Sequence, residues 1–486
     1  MSRRFAVVPF STILLAGALA FAPSGCARNP VTGKNEISLV SESQEIEMGR
    51  QSAQQVQQSI GFYDDPQVQA YVSAVGMKMA KASERPNLPW EFHVVNDASV
   101  NAFALPGGFI YVTRGLMTYI NNEAELATVI GHEIGHVTNR HTVQQISKAQ
   151  VAQLGLGIGS ILSSDVAKVA GIASQGLGIL FLKYSRDAEN QADLAGFRYA
   201  LGQNYDVREM GSVFQTLDRV SGGGRLPEWL ATHPNPGTRI QNTQARLDTL
   251  HYDLTKTFIG RDQYLEHVRN MTFGDDPQQG FFVGTAFYHP GLRFQLTFPQ
   301  GWKTQNGADA VVGVSPQQDA ILQLGLAGQT PPQQAVQQFL SQQGVQAGNT
   351  STSSVNGLAA SSGYFQAQTD QGQVQGLVTF ISYNGNTYGL LGYTPAGKLS
   401  QYDQTFRQAI GSFSQLRNQA AMNVQPAKIE LVKLTREMTL EQFNSQYPST
   451  IPIDQLAIIN ELESGTSVIP VGRTVKRVVG GQLPTQ

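Results

Sequence analysis

The sequence predicts an α+β protein: a mainly helical domain with a small sheet, then an α/β sandwich-like domain, then a small C-terminal module. Three observations carry this. Apolar residues recur at helical spacing through most of the first 247 residues, short alternating runs with hairpin signals dominate from Phe294 to Tyr393, and Ala427 to Val479 stands apart beyond them. With 486 residues, 41% hydrophobic and 14% charged, the chain can build two or three ordinary cores. A net charge of -2 offers no basic surface for nucleic acid.

At the N-terminus, Arg3 and Arg4 precede an apolar stretch from Phe5 to Ala22, the layout of a secretory signal. Ser24-Gly25-Cys26 is similar to a bacterial lipobox, in which Cys26, the only cysteine of the chain, is acylated. Such an anchor holds a protein on a membrane without crossing it. By the same likeness, Ala27 after the cysteine directs it to the outer membrane, facing the periplasm.

Ser41 caps a first helix with Ile46, Gly49, Ala53, Val56 and Ile60 inward. Asp65-Pro66 opens a second with Val68, Val72, Val75 and Met79 inward. Trp90 to Val95 and Ala102 to Val112 read as strands, the latter interrupted by Pro106-Gly107-Gly108. Asn121 and Asn122 are cap candidates for a third helix carrying Ala124, Leu126, Ala127, Val129 and Ile130. That helix runs into His132-Glu133-Ile134-Gly135-His136.

Residues four apart share a helical face, so His132 and His136 can grip one metal ion, with Glu133 beside them to take a proton from a water. Gly135 is expected to leave room above the metal. A catalytic zinc usually takes three protein ligands. The best third is Glu189 in Ser185-Arg186-Asp187-Ala188-Glu189-Asn190-Gln191-Ala192-Asp193, where Asp193, one turn on, can accept a ring N–H of His132 or His136. His93, His141, His251, His267 and His289 pair with no carboxylate pattern. His141, taken as a continuation of the motif helix, falls off the metal face and reads as structural.

These residues resemble the gluzincin metallopeptidases typified by the CAAX prenyl protease and HtpX, in their periplasmic BepA-like lipoprotein branch. The resemblance rests on the two motifs, on Asn101 to Gly108, and on His233-Pro234 followed by Arg239-Ile240. It implies a zincin-type domain and one Zn2+ per chain on His132, His136 and Glu189, with Glu133 as base. It makes His233 either an oxyanion stabiliser or a removable fourth ligand, with Arg239 joining as oxyanion stabiliser. It also implies action on unfolded or misassembled envelope proteins, in quality control or assembly of outer-membrane proteins. The region of Trp90 to Val95 and Ala102 to Val112 is the candidate for holding an extended substrate on an edge strand.

Val151 to Leu182 is too interrupted to span a membrane and reads as packed helices or a lid. Phe273 to Pro277 reads as a linker. Beyond it come strands Phe294 to Phe298, Ala320 to Leu326, Gly363 to Thr369, Val374 to Tyr383 and Thr387 to Tyr393, with Asn384-Gly385 as a hairpin turn, and helices at Gln333 to Gln343 and Tyr402 to Phe413. This part resembles PsbP-like modules. Met438 to Phe443, Leu456 to Asn460 and Ile469 to Arg473 resemble a LysM module, with Arg436-Glu437 where that family has Gly-Asp.

The expected domains are a signal peptide at 1–26, the metallopeptidase at 27–255, a linker at 256–285, an accessory domain at 286–418 and the C-terminal module at 424–480. Two rival functions stay open: a lipoprotein chaperone or assembly scaffold with a latent metal site, engaging the outer-membrane assembly machinery, and a cell-wall amidase binding peptidoglycan.

Overall fold

The computed structural model describes residues 27–36, 38–154, 183–221, 229, 232–233, 236–307, 310–369 and 372–484. The signal segment with Cys26, most of the Val151 to Leu182 stretch, and Pro234 lie outside the described residues. Within these limits, 27–275 with 427–480 form one compact unit and 276–426 with 481–484 a second.

The first unit begins with α1 (Glu42–Ser59), closed by a Ser41–Gln44 capping box, and α2 (Pro66–Ala80), whose Asp65 side chain accepts from the Gln67 and Val68 amides. On α1, Gly49 and Val56 face inward as expected, but so does Glu45, which the apolar spacing does not mark. Its carboxylate binds Arg85 at 2.7 Å and Arg140 at 2.9 Å, and Arg85 also donates to the Val137 carbonyl. A buried ionic hub thus ties α1 to the far end of the motif helix.

A three-stranded sheet follows: β1 (Glu91–Val95) lies parallel to β3 (Phe109–Thr113), and β2 (Ala102–Leu105) pairs antiparallel on the other side of β3 as an edge. After α3 (Arg114–Tyr119), the motif helix α4 (Glu123–Thr138) starts on an Asn122 cap and is buried along its length. Among the described residues, α5 (His141–Leu154), α6 (Arg186–Gly202), α7 (Glu209–Ser221), α8 (Pro236–Asp248) and α9 (Arg261–Val268) follow before residue 275.

The close crossing of α4 and α6 explains Gly135. A Cβ there would lie 2.8 Å from the Ala192 carbonyl, and one at Gly196 would lie 2.6 Å from the His132 amide nitrogen. Gly135 therefore admits α6, and the room it leaves is filled by a helix.

Within 256–275, where a linker was expected, Tyr264, Leu265, Val268, Met271 and Phe273 join the core of this unit. Tyr264 on α9 is fully buried and its hydroxyl donates to the Met117 carbonyl at 2.6 Å. The C-terminal residues 427–480 likewise share the core of this unit rather than standing alone. Their strands Lys428–Lys433 and Thr474–Val479 pair around helices Leu440–Gln446 and Ile453–Ile459. Buried Lys476 donates to the Thr118 and Ile120 carbonyls, both at 2.9 Å. Burial, reinforced by Arg261, pushes its ammonium pKa down to about 7.

Near Lys476, Glu125 on α4, Glu209 on α7 and Glu461 of the C-terminal segment bring their carboxylates together, with Arg261 3.3 Å from Glu461. Burial, then its hydrogen bond to Glu461, pushes the Glu125 carboxyl well up, while Arg261 and Lys476 help keep Glu461 low. The folded chain so holds a proton that an unfolded Glu releases at about pH 4.3, and stability contributed here is full below that pH and falls as pH rises toward the folded pKa. Burial raises the Glu209 carboxyl as well, so Glu125→Gln should lessen this fall. Urea denaturation of both proteins as pH rises checks it, and parallel stability curves would disprove it.

The second unit holds a seven-stranded antiparallel sheet in the order 345–355, 358–369, 372–383, 386–395, 321–326, 310–314, 303–306, and a four-stranded sheet of 414–415, 294–297, 286–289 and 281–283. Helices Pro332–Leu340 and Leu399–Gly411 pack on it, the latter burying Phe406 and Ile410. The Tyr383 to Asn386 hairpin forms with Asn384 and Gly385 both at positive φ.

Candidate metal centre

Two i, i+4 pairs on crossing helices build the site. From α4 come His132 and His136, with Nε2 atoms 3.0 Å apart. From α6 comes Glu189, its Oε2 3.6 Å from His132 Nε2 and its Oε1 3.6 Å from His136 Nε2. His233 closes the group, with Nδ1 3.0 Å from Glu189 Oε1 and 3.3 Å from His132 Nε2. All four are buried and offer donor atoms to one point. Asp193, one turn beyond Glu189, meets His132 and not His136: its Oδ1 lies 2.9 Å from His132 Nδ1. That bond leaves the Nε2 lone pair of His132 pointing into the cluster.

This donor set fits a divalent cation. Donors about 2.1 Å from a tetrahedral zinc lie about 3.4 Å from one another, the spacing found here. Two buried carboxylate atoms, Glu189 Oε2 and Glu133 Oε1, also have no hydrogen-bond donor, a costly state unless something else faces them.

Arg239, on α8, lies behind the cluster. Its Nε donates to Asp193 Oδ2 at 2.9 Å, its Nη2 to Asp193 Oδ1, and its Nη1 stands 3.2 Å from Glu189 Oε2. The guanidinium is held between the rings of Phe214 and Trp229, 4.2 and 4.3 Å from their centroids. Burial alone would raise the Asp193 carboxyl, yet the Arg239 charge and the His132 hydrogen bond hold it well below the usual carboxylate range. Burial is likewise outweighed at Glu189, by His233 and Arg239, which keep it low, and at His233, where Glu189 raises the ring.

Three contributors escape the motifs. Tyr184 stacks on His136 at 3.9 Å and Trp229 on His233 at 4.8 Å. Trp229 stands four residues before His233, a spacing that signals a shared face; Tyr184 directly precedes the Ser185 motif. The third is His141. The expectation that it points away from the metal assumed one continuous helix. Instead α4 ends at Thr138, Arg140 adopts a φ of 58°, and the chain turns back so that His141 Nδ1 lies 2.9 Å from His136 Nδ1.

Residues 66–247 match the family described as Peptidase family M48. They are an M48 peptidase domain. An M48 domain works with a divalent metal, and all the donors described above fall inside the matched stretch. The beta-barrel assembly-enhancing protease of Escherichia coli (strain K12) is 29% identical over 252 residues, 50% of this chain and 51% of that one. The mitochondrial metalloendopeptidase OMA1 of Arabidopsis thaliana is 35% identical over 175 residues, 35% of this chain and 34% of that one. The chain spans about half the length of the beta-barrel assembly-enhancing proteases it matches. A solution structure of cyanobacterial PsbP (CyanoP) from Synechocystis sp. PCC 6803 aligns over 28% of this chain and 94% of that one, at 14% identity and a TM-score of 0.23.

Proposed function

We propose that the chain is a zinc-dependent endopeptidase of the bacterial cell envelope, acting in quality control or assembly of outer-membrane proteins. The observation that carries this is the convergence of His132, His136 and Glu189 on one buried point beside Glu133, whose Oε1 has no hydrogen-bond donor. Zinc there would act as a Lewis acid on a scissile carbonyl and make a bound water easier to deprotonate. Glu133 takes the proton from the attacking water and returns it to the leaving amine. Asp193 orients His132. Arg239, whose Nε and Nη2 are bound to Asp193 and whose Nη1 forms an ion pair with Glu189, is a positioning residue in this reading. The edge strand β2, next to α4, supplies main-chain groups for an extended substrate.

Misassembled outer-membrane proteins are the proposed substrates, in keeping with the name of the Escherichia coli relative. The proposed anchor is the lipid on Cys26; among the described residues no helix is long and apolar enough to cross a membrane. Residues 286–418 and 424–480 are assigned to recognition of substrate, assembly partner or peptidoglycan.

His233 sits where an incoming water or carbonyl would have to bind, its Nε2 3.8 Å from Glu133 Oε1. This favours a resting state in which His233 occludes the site. Casein cleavage by the full chain, with bound zinc counted, tests both points: wild type should be slow, His233→Ala faster, and each should hold about one zinc. A zinc-loaded His233→Ala protein that cleaves nothing would favour the scaffold reading instead.

A further inference from the structure

A histidine donates to a metal well only if its other ring nitrogen carries the proton and something fixes that N–H. For His132 that partner is Asp193. For His136, no carboxylate among the described residues is within reach of Nδ1; the atom facing it is Nδ1 of His141, 2.9 Å away. His141 is buried, and its Nε2 lies 3.1 Å from Gln191 Oε1. The proton positions along this line follow from chemistry. The Gln191 oxygen only accepts, so His141 Nε2 carries a proton; a neutral His141 then has a lone pair on Nδ1, and His136 Nδ1 must donate to it. That leaves the Nε2 lone pair of His136 facing His132 Nε2 and Glu189. Helix α6 thus supplies a ligand, Glu189, and the ends of two bracing lines: Asp193 directly to His132, and Gln191 through His141 to His136.

We propose that His141, braced by Gln191, is a positioning residue that fixes the ring and tautomer of His136 for metal binding. This rests on the reading of the cluster as a zinc site. The bracing is neutral throughout, so it orients His136 without adding negative charge to a pocket that already holds Glu133, Glu189 and Asp193.

The test is zinc affinity of the full chain, measured by competition with a chromogenic chelator, beside thermal melting of the metal-free protein. His141→Leu keeps an apolar side chain of similar bulk but no acceptor, and should bind zinc ten- to a hundredfold more weakly with the metal-free melting curve unmoved. His141→Gln restores an acceptor and should recover most of the loss. Gln191→Leu, at a half-buried position, should show a smaller loss in the same direction. Unchanged zinc affinity in a folded His141→Leu protein would overturn the proposal, as would a loss that tracks a lowered melting curve and is not recovered by glutamine. Should His141→Leu not fold, unchanged affinity in Gln191→Leu overturns it. A wild-type chain that binds no zinc would instead sink the reading of the site itself, and this inference with it.

Discussion

Glu133→Gln should lower kcat/KM for casein by about 10²- to 10⁴-fold while leaving about one zinc per chain. The amide has the shape of the carboxylate but cannot take a proton, so the attacking water loses its base. Metal binding should survive because Glu133 is not among the four donors: its Oε1 lies 3.8 Å from His233 Nε2 and accepts no hydrogen bond. The pairing of two readouts matters. Activity that persists would remove Glu133 from the chemistry, whereas zinc lost with activity would make it a structural part of the centre. The comparison is best made in the His233→Ala background, where the baseline is expected to be highest.

Arg239→Leu should destabilise the M48 domain by about 3–5 kcal/mol, the usual cost of removing one partner from a buried charge pair. Four groups depend on that guanidinium. Asp193 and Glu189 would be left as carboxylates without their main counter-charge, and Phe214 and Trp229 would lose the cation held between them. Asp193→Asn removes the charge but can still accept from His132 Nδ1 through its amide oxygen. The Asp193→Asn, Arg239→Leu double variant should therefore cost clearly less than the sum of the two single ones. Denaturation in urea measures this. An Arg239→Leu protein of unchanged stability but reduced kcat would return Arg239 to the oxyanion role implied by the family resemblance.

The catalytic helices were legible because their chemistry is periodic. An i, i+4 pair of histidines and an i, i+4 pair of carboxylates each declare a face, and the caps at Ser41, Asp65 and Asn122 declare where helices start. What the sequence could not show is where a helix ends by turning sharply. Arg140 in the left-handed region carries no glycine signal, so His141 reads as a continuation of α4 when it in fact opens α5 against His136. Buried charge was equally hidden: Glu45 and Lys476 look like solvated residues until their partners, 40 and more than 350 positions away, are in place. Strand 345–355 escaped for a different reason. Its polar run is exposed on both faces, so no alternation marks it; its pairing to 358–369 defines it.

The junction around residues 270–273 and 427–429 has a bearing on when the metal centre is finished. Asn270 and Phe273 donate to the Ile429 and Ala427 carbonyls, so the chain leaves the first unit and re-enters it at one neck, with the 276–426 unit spliced between. That spliced unit is made of neighbours in sequence and can close upon itself as it emerges. Its host cannot. The carbonyls of Thr118 and Ile120, just ahead of the motif helix, receive their donor from Lys476, up to 358 residues later. Contacts of such long range form late and slowly. The support under the histidine helix is thus expected to assemble last, so that the four-donor cluster of a nascent or truncated chain lacks its backing until the C-terminal strand has been delivered.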